Sequence, residues 1–392
     1  MRRELLIGAG PGEWRAAWLE DGVAVELYVE RGELRPVGSI HLGRVVRRVG
    51  GLAAALVDIG EERPGFLPVR ASETQRLDEG ARVLVQVQRE AQRDKGARLS
   101  TRLARHGTPF APDSLAARAA ILEPPAQLDP APGFAAALAL RLPASPDRVV
   151  IDDPAPLPEL RAVFPEPDIA HQPVDLWPID LDGVFAAALA PSSPLPDHGR
   201  IHIDECRAAV LIDVDTGTPE GGGSAPQAAL AANLAAAAAV AHAIRLRQLG
   251  GGIIVDFIGL EGRGPRDRVR DVLAAALADD PARPELLGWT RLGHLEIVRP
   301  RHGRPLSAAM LEPGAARKST TALAFEALRA LYREARAHPA ANWRLVVVPA
   351  IEAALRGPQA AALRELETRL GRTIALARMS PGEAAPFDIV AL

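Results

Sequence analysis

The chain has 392 residues, of which 48% are hydrophobic, and its 34 glycines and 35 prolines indicate two or three globular domains with many loops. Its formal net charge of −3 excludes a global basic field, so a nucleic-acid site would have to be a local patch. The one cysteine, Cys206, excludes an intrachain disulfide and any site that needs two thiolates.

No uncharged apolar run reaches the roughly 20 residues of a membrane helix, and the Ala-rich stretch 228–244 is too weakly apolar to be a convincing span. The N-terminus turns directly into a strand pattern, with no signal peptide. We therefore expect a soluble, cytoplasmic protein with no membrane partner.

The first third of the chain reads as strands. Within residues 1–36, alternating patterns predict strands on both sides of a hairpin turn at Asp21-Gly22. Residues 37–103 carry five short strand patterns separated by Gly-containing turns, which is typical of a small closed barrel of the OB type. Residues 104–147 are rich in Pro and Ala and have no strand period, so they predict a linker with one or two short helices.

The remainder alternates between strands and helices. A strand at 148–151 precedes a helix at 156–164, and an apolar strand ending at residue 215 precedes a helix over 225–249 and a buried strand at 252–258. This strand-helix-strand pattern predicts two parallel strands in one sheet. The later predicted elements are a helix at 266–279, a hairpin at 289–298, helices at 319–336 and 358–370, and strands at 344–348 and 373–377.

Acidic residues are embedded in two of these apolar strands. Asp213 and Asp215 follow the apolar residues 210–212, and Asp256 follows 253–255. A carboxylate there is costly unless it is paired, hydrogen-bonded or bound to a metal, and ligand sites lie off the carboxyl ends of parallel strands. Carboxylates without thiolates favour Mg²⁺ or Mn²⁺, which can activate water beside a phosphodiester. The alternative is an aspartate that caps a loop or pairs with an arginine.

Several motifs, in order and at matching spacing, resemble the ribonuclease E/G family over most of the chain. The most specific are LIDVDTG at 211–217, NL at 233–234, RLR at 245–247 and GGGIIVDFI at 250–258. The others are ELLI at 4–7, GSIHLGRV at 38–45, AALVDIG at 54–60, GFLP at 65–68, KGARLST at 95–101, LEIVRPR at 295–301 and FDIV at 387–390.

The resemblance implies a multi-domain α/β protein in which an OB-type S1 barrel is inserted in, or attached to, an RNase H-like/DNase I-like catalytic core. It divides the chain into N-terminal strands of the core (1–36), an S1 RNA-binding domain (37–103), a shortened linker with a reduced 5′-sensor region (104–147), the catalytic α/β core (148–306) and a small C-terminal α/β subdomain (307–392).

The implied function is magnesium-dependent endonucleolytic hydrolysis of single-stranded RNA, in rRNA or mRNA processing or decay. Asp213 and Asp256 would be the metal ligands, with Mn²⁺ able to replace Mg²⁺, and Asp215 would be a third catalytic residue. Asp215 stands where the family usually has Asn; the added charge could supply a ligand or weaken the site by repulsion.

RNA contacts are implied for Phe66, Lys95, Arg299 and Arg301. Phe66 would stack on a base, although an isolated Phe is more often a core residue. Lys95 would contact phosphate. Arg299 and Arg301 alternate along a strand, so both could face a phosphate backbone, with an exposed charged face as the alternative. His294 is interpreted as structural.

The chain also departs from the family pattern. Ala308 and Leu311 occupy the positions of the zinc-linking cysteines, which predicts no zinc and a homodimer, if one forms, that zinc does not link. The 5′-sensor loop is absent from 104–147, and Leu56 replaces an RNA-stacking aromatic. These departures leave two alternatives open, namely a weakly active or inactive RNA-binding protein on the same scaffold and a phosphoesterase acting on small substrates.

Overall fold

The computed structural model describes residues 1–31, 37–49, 53–68, 77–89, 91, 96–103, 112–215, 225–301, 304–312, 317–380 and 385–392. These residues form two compact units. Unit 1 comprises residues 1–29, 143–157 and 166–392, and unit 2 comprises residues 30–142 and 158–165.

Twenty strands are described, in chain order: β1 (Arg3–Gly10), β2 (Glu13–Glu20), β3 (Val23–Arg31), β4 (Ile40–Val49), β5 (Ala54–Asp58), β6 (Gly65–Pro68), β7 (Arg82–Arg89), β8 (Arg98–Ser100), β9 (Ala126–Asp129), β10 (Arg148–Ile151), β11 (Asp168–His171), β12 (Ser192–Pro194), β13 (Arg200–Glu205), β14 (Ala209–Asp215), β15 (Gly251–Asp256), β16 (Glu285–Trp289), β17 (Leu295–Arg299), β18 (Trp343–Val347), β19 (Ala375–Arg378) and β20 (Phe387–Ala391).

The described α-helices are α1 (Pro112–Ile121), α2 (Phe134–Ala139), α3 (Leu157–Val163), α4 (Leu181–Leu189), α5 (Ala225–Leu246), α6 (Arg263–Leu277), α7 (Leu306–Met310), α8 (Thr320–Ala337), α9 (Pro349–Arg356) and α10 (Ala360–Leu370).

Unit 2 contains a closed five-stranded barrel. The sheet order β5-β6-β8-β7-β4 is closed by the pairing of β4 with β5, and β6 and β8 are parallel. Alternate residues such as Val57, Leu67, Val85 and Leu99 fill the interior because successive side chains of a strand point to opposite faces. The predicted OB-type barrel is therefore confirmed. Residues 126–129 differ from the prediction, because they form β9, which pairs with β4.

The N-terminal sheet of unit 1 has the strand order β11-β10-β1-β2-β3. β1 and β2 are antiparallel, whereas β10 and β11 are parallel to β1 and to each other. In the sequence, the barrel thus lies between β3 and β10, which are the third and fourth strands of this sheet in chain order. The hairpin turn at Asp21-Gly22 occurs where predicted, and both residues have positive φ.

The second sheet of unit 1 has the order β12-β13-β14-β15-β17-β16. β14 and β15 are parallel, as the strand-helix-strand pattern predicts. One face of the sheet and helices α5 and α6 form the largest core cluster, in which alanines such as Ala236 and Ala237 let α5 pack closely. By length and composition α5 could cross a membrane, but half of its most apolar window is buried inside the protein. Its apolar composition is therefore explained by core packing.

The C-terminal part of unit 1 is a three-stranded sheet of order β19-β18-β20. Helices α8, α9 and α10 pack with it around a core that includes Phe325, Leu345 and Leu366. α8 begins at a capped end, where the Ser319 hydroxyl accepts a hydrogen bond from the Ala322 amide.

Candidate active site

The candidate site lies on the exposed face of β14. Ile212 and Val214 are buried in the core under α5, whereas Leu211, Asp213 and Asp215 are exposed on the opposite face. The alternation follows from the two-residue period of a strand. The acidic side chains therefore lie on an open face of the sheet and not in its core.

Asp213 and Asp256 are direct partners in the parallel register of β14 and β15. Neighbouring strands are about 4.8 Å apart, and paired residues point to the same face. Both side chains are exposed. Neither carboxylate has an Arg or Lys partner in the described part of the chain, so the two negative charges stand side by side without a compensating cation.

A histidine lies at each end of this carboxylate pair. His202 of β13 is the antiparallel partner of Asp213. On the other side, His294 Nε2 is 3.6 Å from Asp256 Oδ1. His294 lies in a turn fixed by Thr290, whose Oγ1 accepts from the His294 amide at 3.1 Å and whose amide donates to the His294 carbonyl at 2.8 Å.

The contact places the His294 ring beside the carboxylate pair, and the interpretation of His294 as structural stays a prediction. One weak sequence signal indicates this contact, because His294 directly precedes the strand that pairs with the Asp256 strand. His202 points to the same face of the sheet as the exposed residues of β14, because it pairs with Asp213. Only the register brings the two histidines into line with the aspartates.

Asp215 lies on the same face, one side-chain repeat further along β14. It is paired in register with Arg200, not with a residue of β15, which ends at Asp256. Two residues along a strand correspond to about 7 Å. Asp215 thus lies beside the carboxylate pair and is not a third member of the same row.

The carboxylate pair fits a hard divalent ion. Over the described ranges, no group of three or more His, Cys, Asp and Glu side chains is arranged to hold a metal. Mg²⁺ in particular is commonly bound by one or two carboxylates, with water and substrate phosphates completing its coordination. Asp213 and Asp256 would supply the two protein ligands in such a site.

Asn233 holds the chain that follows Asp256. Its side chain is fully buried on α5 and makes two hydrogen bonds to Ile258, donating to the carbonyl at 2.7 Å and accepting from the amide at 2.9 Å. A buried amide satisfied in this way fixes the backbone it bonds. Asn233 is therefore a positioning residue for the end of β15.

Arg245 ties α5 to the N-terminal sheet. Its guanidinium donates to both oxygens of Glu20 at 2.9 and 2.7 Å and to Glu26 at 2.8 Å. Burial raises the pKa of Glu20, but the hydrogen bonds and charge of Arg245 outweigh burial and leave this pKa below its ordinary value. Arg245 of the RLR motif thus forms an internal ion pair.

The expectation that Arg299 contacts RNA is corrected. Its side chain is 3% exposed and forms a bidentate ion pair with Asp280, at 2.7 and 3.0 Å, and it also donates to the Leu249 carbonyl at 2.8 Å. The physical reason is parity, because Arg299 shares the buried face of β17 with Leu295 and Ile297.

Arg301 is exposed and donates to the Gly250 carbonyl at 3.1 Å. Because Gly251 pairs with Arg299, both arginines lie near the start of β15, and its six residues put them about 16 Å or more from Asp256. The structure does not bring Arg299 and Arg301 together with the aspartates.

Phe66 lies on the outer surface of the barrel. It is half-buried, is absent from the barrel core, and pairs with Leu56 on one side and Arg98 on the other. An aromatic ring beside an exposed arginine is suited to base stacking, and its RNA contact remains a prediction. Lys95 lies outside the described residues.

The fold and site together define a multi-domain α/β protein that combines an OB-type barrel with a strand-end carboxylate pair. A sequence model of the Ribonuclease E/G family matches residues 148–302. The chain is 25% identical to Ribonuclease G of Salmonella typhimurium over 100% of both chains, and 26% identical to Ribonuclease G of Haemophilus influenzae over 99% of both. Ribonuclease E of a Nostoc species is 36% identical over 32% of this chain and 18% of its own length. Residues 148–302 thus match the Ribonuclease E/G family, and the whole chain is similar to proteins named Ribonuclease G.

Proposed function

We propose that this protein is a magnesium-dependent endoribonuclease that hydrolyses phosphodiester bonds in single-stranded RNA, in the cytoplasm, as part of RNA processing or decay. The observation that carries the proposal is the direct register of Asp213 and Asp256 on an open sheet face. The similarity to proteins named Ribonuclease G and Ribonuclease E supports the substrate class.

Asp213 and Asp256 would hold the divalent ion, for which Mn²⁺ could replace Mg²⁺. When bound, the ion supplies activation of water and compensation of charge on the phosphoryl oxygens. Asp213 and Asp256 would fix its position, and Asn233 would keep the end of β15 in place beneath it. Asp215, one repeat away, would add negative charge to the rim of the site and influence how the phosphate approaches.

His294 would orient Asp256 through their 3.6 Å contact. An oriented ligand loses less freedom when it binds an ion, and groups that orient metal ligands commonly affect affinity and activity. His202 is placed to act on Asp213 in a similar way.

The barrel would act as an S1 domain and bind the RNA strand. Phe66 would supply a stacking surface, and Arg98 beside it would contact the phosphate backbone. The five-stranded sheet has the order β11-β10-β1-β2-β3. In chain order it begins with the antiparallel strands β1 and β2 and ends with β10 and β11, which are parallel to β1. This arrangement supports an RNase H-like origin for the core.

The test is cleavage of an unstructured RNA oligomer in Mg²⁺ by the wild type, Asp213→Asn, Asp256→Asn and the matched control Asp204→Asn. Asp204 is an exposed carboxylate on β13, on the same face of the sheet as Asp213. It pairs with Leu211 and therefore lies one side-chain repeat away from the Asp213–Asp256 pair. We expect both site variants to lose activity and the control to keep it. Cleavage that survives in both site variants refutes the assignment, whereas RNA binding by the wild type without metal-dependent cleavage favours an inactive RNA-binding protein.

A further inference from the structure

A groove adjoins the carboxylate pair on the side of β15. A hollow of about 170 Å³ begins at Asp256 and is lined by Phe257, Arg266 and Trp289. It shares Arg266 and Trp289 with a larger hollow of about 770 Å³ that runs along the first turns of α6. The open groove therefore leads directly away from the candidate metal ligands.

Aromatic rings and a guanidinium form the wall shared by the two hollows. The rings of Phe257 and Trp289 are 5.9 Å apart and tilted by 55°. The guanidinium carbon of Arg266 lies 5.6 Å from the centre of the Trp289 ring. The indole nitrogen of Trp289 is buried and has no hydrogen-bond acceptor in the described part of the chain.

Arg266 differs from its neighbours in charge compensation. Arg263 lies 3.6 Å from Asp267, and Arg270 pairs with Asp267 at 3.1 Å and with Asp271 at 2.8 Å. No carboxylate within the described ranges pairs with Arg266. Its charge is therefore available to an anion in the groove, beside the two uncompensated carboxylates.

A nucleotide fits this combination of groups. Proteins bind unpaired bases by stacking them on aromatic rings or on the plane of an arginine, and they hold the strand through charge on its phosphates. A guanidinium that is stacked on an indole offers both a flat surface and a positive charge.

We propose that Arg266 and Trp289 form a nucleotide subsite next to the Asp213–Asp256 pair. It holds one nucleotide of a single-stranded RNA beside the scissile phosphate, the base by stacking on the Arg–Trp pair and the phosphate by the charge of Arg266. The inference rests on the proposed function and adds to it the residues that bind substrate.

The test compares Arg266→Ala and Trp289→Phe with the wild type and with Arg268→Ala. Arg268 is an exposed arginine on the same helix that does not line either hollow. In cleavage of an RNA oligomer, Arg266→Ala should raise KM about tenfold and leave kcat within about twofold, as expected for loss of one stacked base. Arg268→Ala should leave both constants within about twofold of the wild type.

Tryptophan fluorescence gives a readout that a purely structural role would not change. We expect the RNA oligomer to quench the emission of the Asp213→Asn protein, which binds without cleaving, and Trp289→Phe to remove that quenching. Arg266→Ala should also lower the slope of log affinity against log salt by about one, whereas Arg266→Lys should keep the slope. Thermal melting of each variant establishes that it is folded.

The outcomes separate the two proposals. If the wild type neither binds nor cleaves the oligomer, both proposals fall. If the wild type cleaves and Arg266→Ala behaves like Arg268→Ala, or if quenching survives in Trp289→Phe, the subsite is wrong and the endoribonuclease assignment stands. A tenfold rise in KM with loss of the Trp289 quenching supports the subsite.

Discussion

Asp213→Asn should stabilise the protein in the absence of metal while removing its response to metal. Asp213 and Asp256 are neighbours in register, and the Asp213 side chain has no hydrogen-bond or ion-pair partner among the residues that the structure describes. Two unit charges about 4.8 Å apart near water repel each other by about 1 kcal/mol. Neutralising one of them removes this repulsion and breaks no contact.

The expected gain corresponds to a rise of about 2–4 °C in Tm for a domain of this size. In the wild type, an ion present at about 100 times its Kd should add about 2.7 kcal/mol of stability, because it binds the folded state. The variant should lose most of this increment. It should therefore be more stable than the wild type in EDTA and less stable than the wild type in MnCl₂.

The measurement is differential scanning calorimetry of both proteins in each buffer, with Asp204→Asn as control. The control should change neither Tm by more than about 1 °C, since exposed surface changes are usually small. A lower Tm of Asp213→Asn in EDTA would mean that Asp213 makes a structural contact. An unchanged response to Mn²⁺ would mean that the ion binds elsewhere.

Three further predictions concern other parts of the chain. Arg299→Ala should lower the free energy of unfolding in urea by about 3–5 kcal/mol, because it leaves the buried Asp280 carboxylate unpaired; a loss below 1 kcal/mol would contradict this role. Because the pKa of Glu20 is lowered in the folded state, its ion pair with Arg245 should stabilise the fold above the ordinary pKa of 4.5 and lose that effect as the pH falls. Stability measured between pH 5 and 3 should therefore fall less steeply in Glu20→Gln, and equal slopes would refute the coupling. Phe66→Ala should weaken RNA binding about tenfold in fluorescence anisotropy at fixed salt, and unchanged binding would show that the ring is not a stacking surface.

Sequence patterns predicted the elements that have strong local signals. The barrel strands, the hairpin at Asp21-Gly22 and the parallel crossover from β14 to β15 each combine a two-residue apolar period with clear turn residues. β9 was missed because its four residues carry no alternation, and its strand conformation depends on pairing with β4.

The candidate site was predictable only in part. The strand-end positions of Asp213 and Asp256 follow from local patterns, but their direct pairing depends on register, which is set by the packing of the whole sheet. Arg299 lies on the buried face of β17 because successive side chains of a strand alternate between its two faces. The contacts of Trp289 and His294 could not be predicted, because both residues flank a turn, where no period indicates what a side chain contacts.

The short strand β9 has a consequence for the order of folding. The pairing of β1 with β10 joins residues that lie about 144 positions apart, as do Arg3 and Asp147. β9 places Asp129 opposite Ile40 at the start of the barrel, so a folded barrel shortens the free chain between β3 and β10 to about 30 residues. Loop-closure entropy scales with the logarithm of length, and this shortening lowers the cost of joining the two strands by about 1.5 kcal/mol. Prior folding of the barrel would therefore lower the entropic cost of completing the N-terminal sheet.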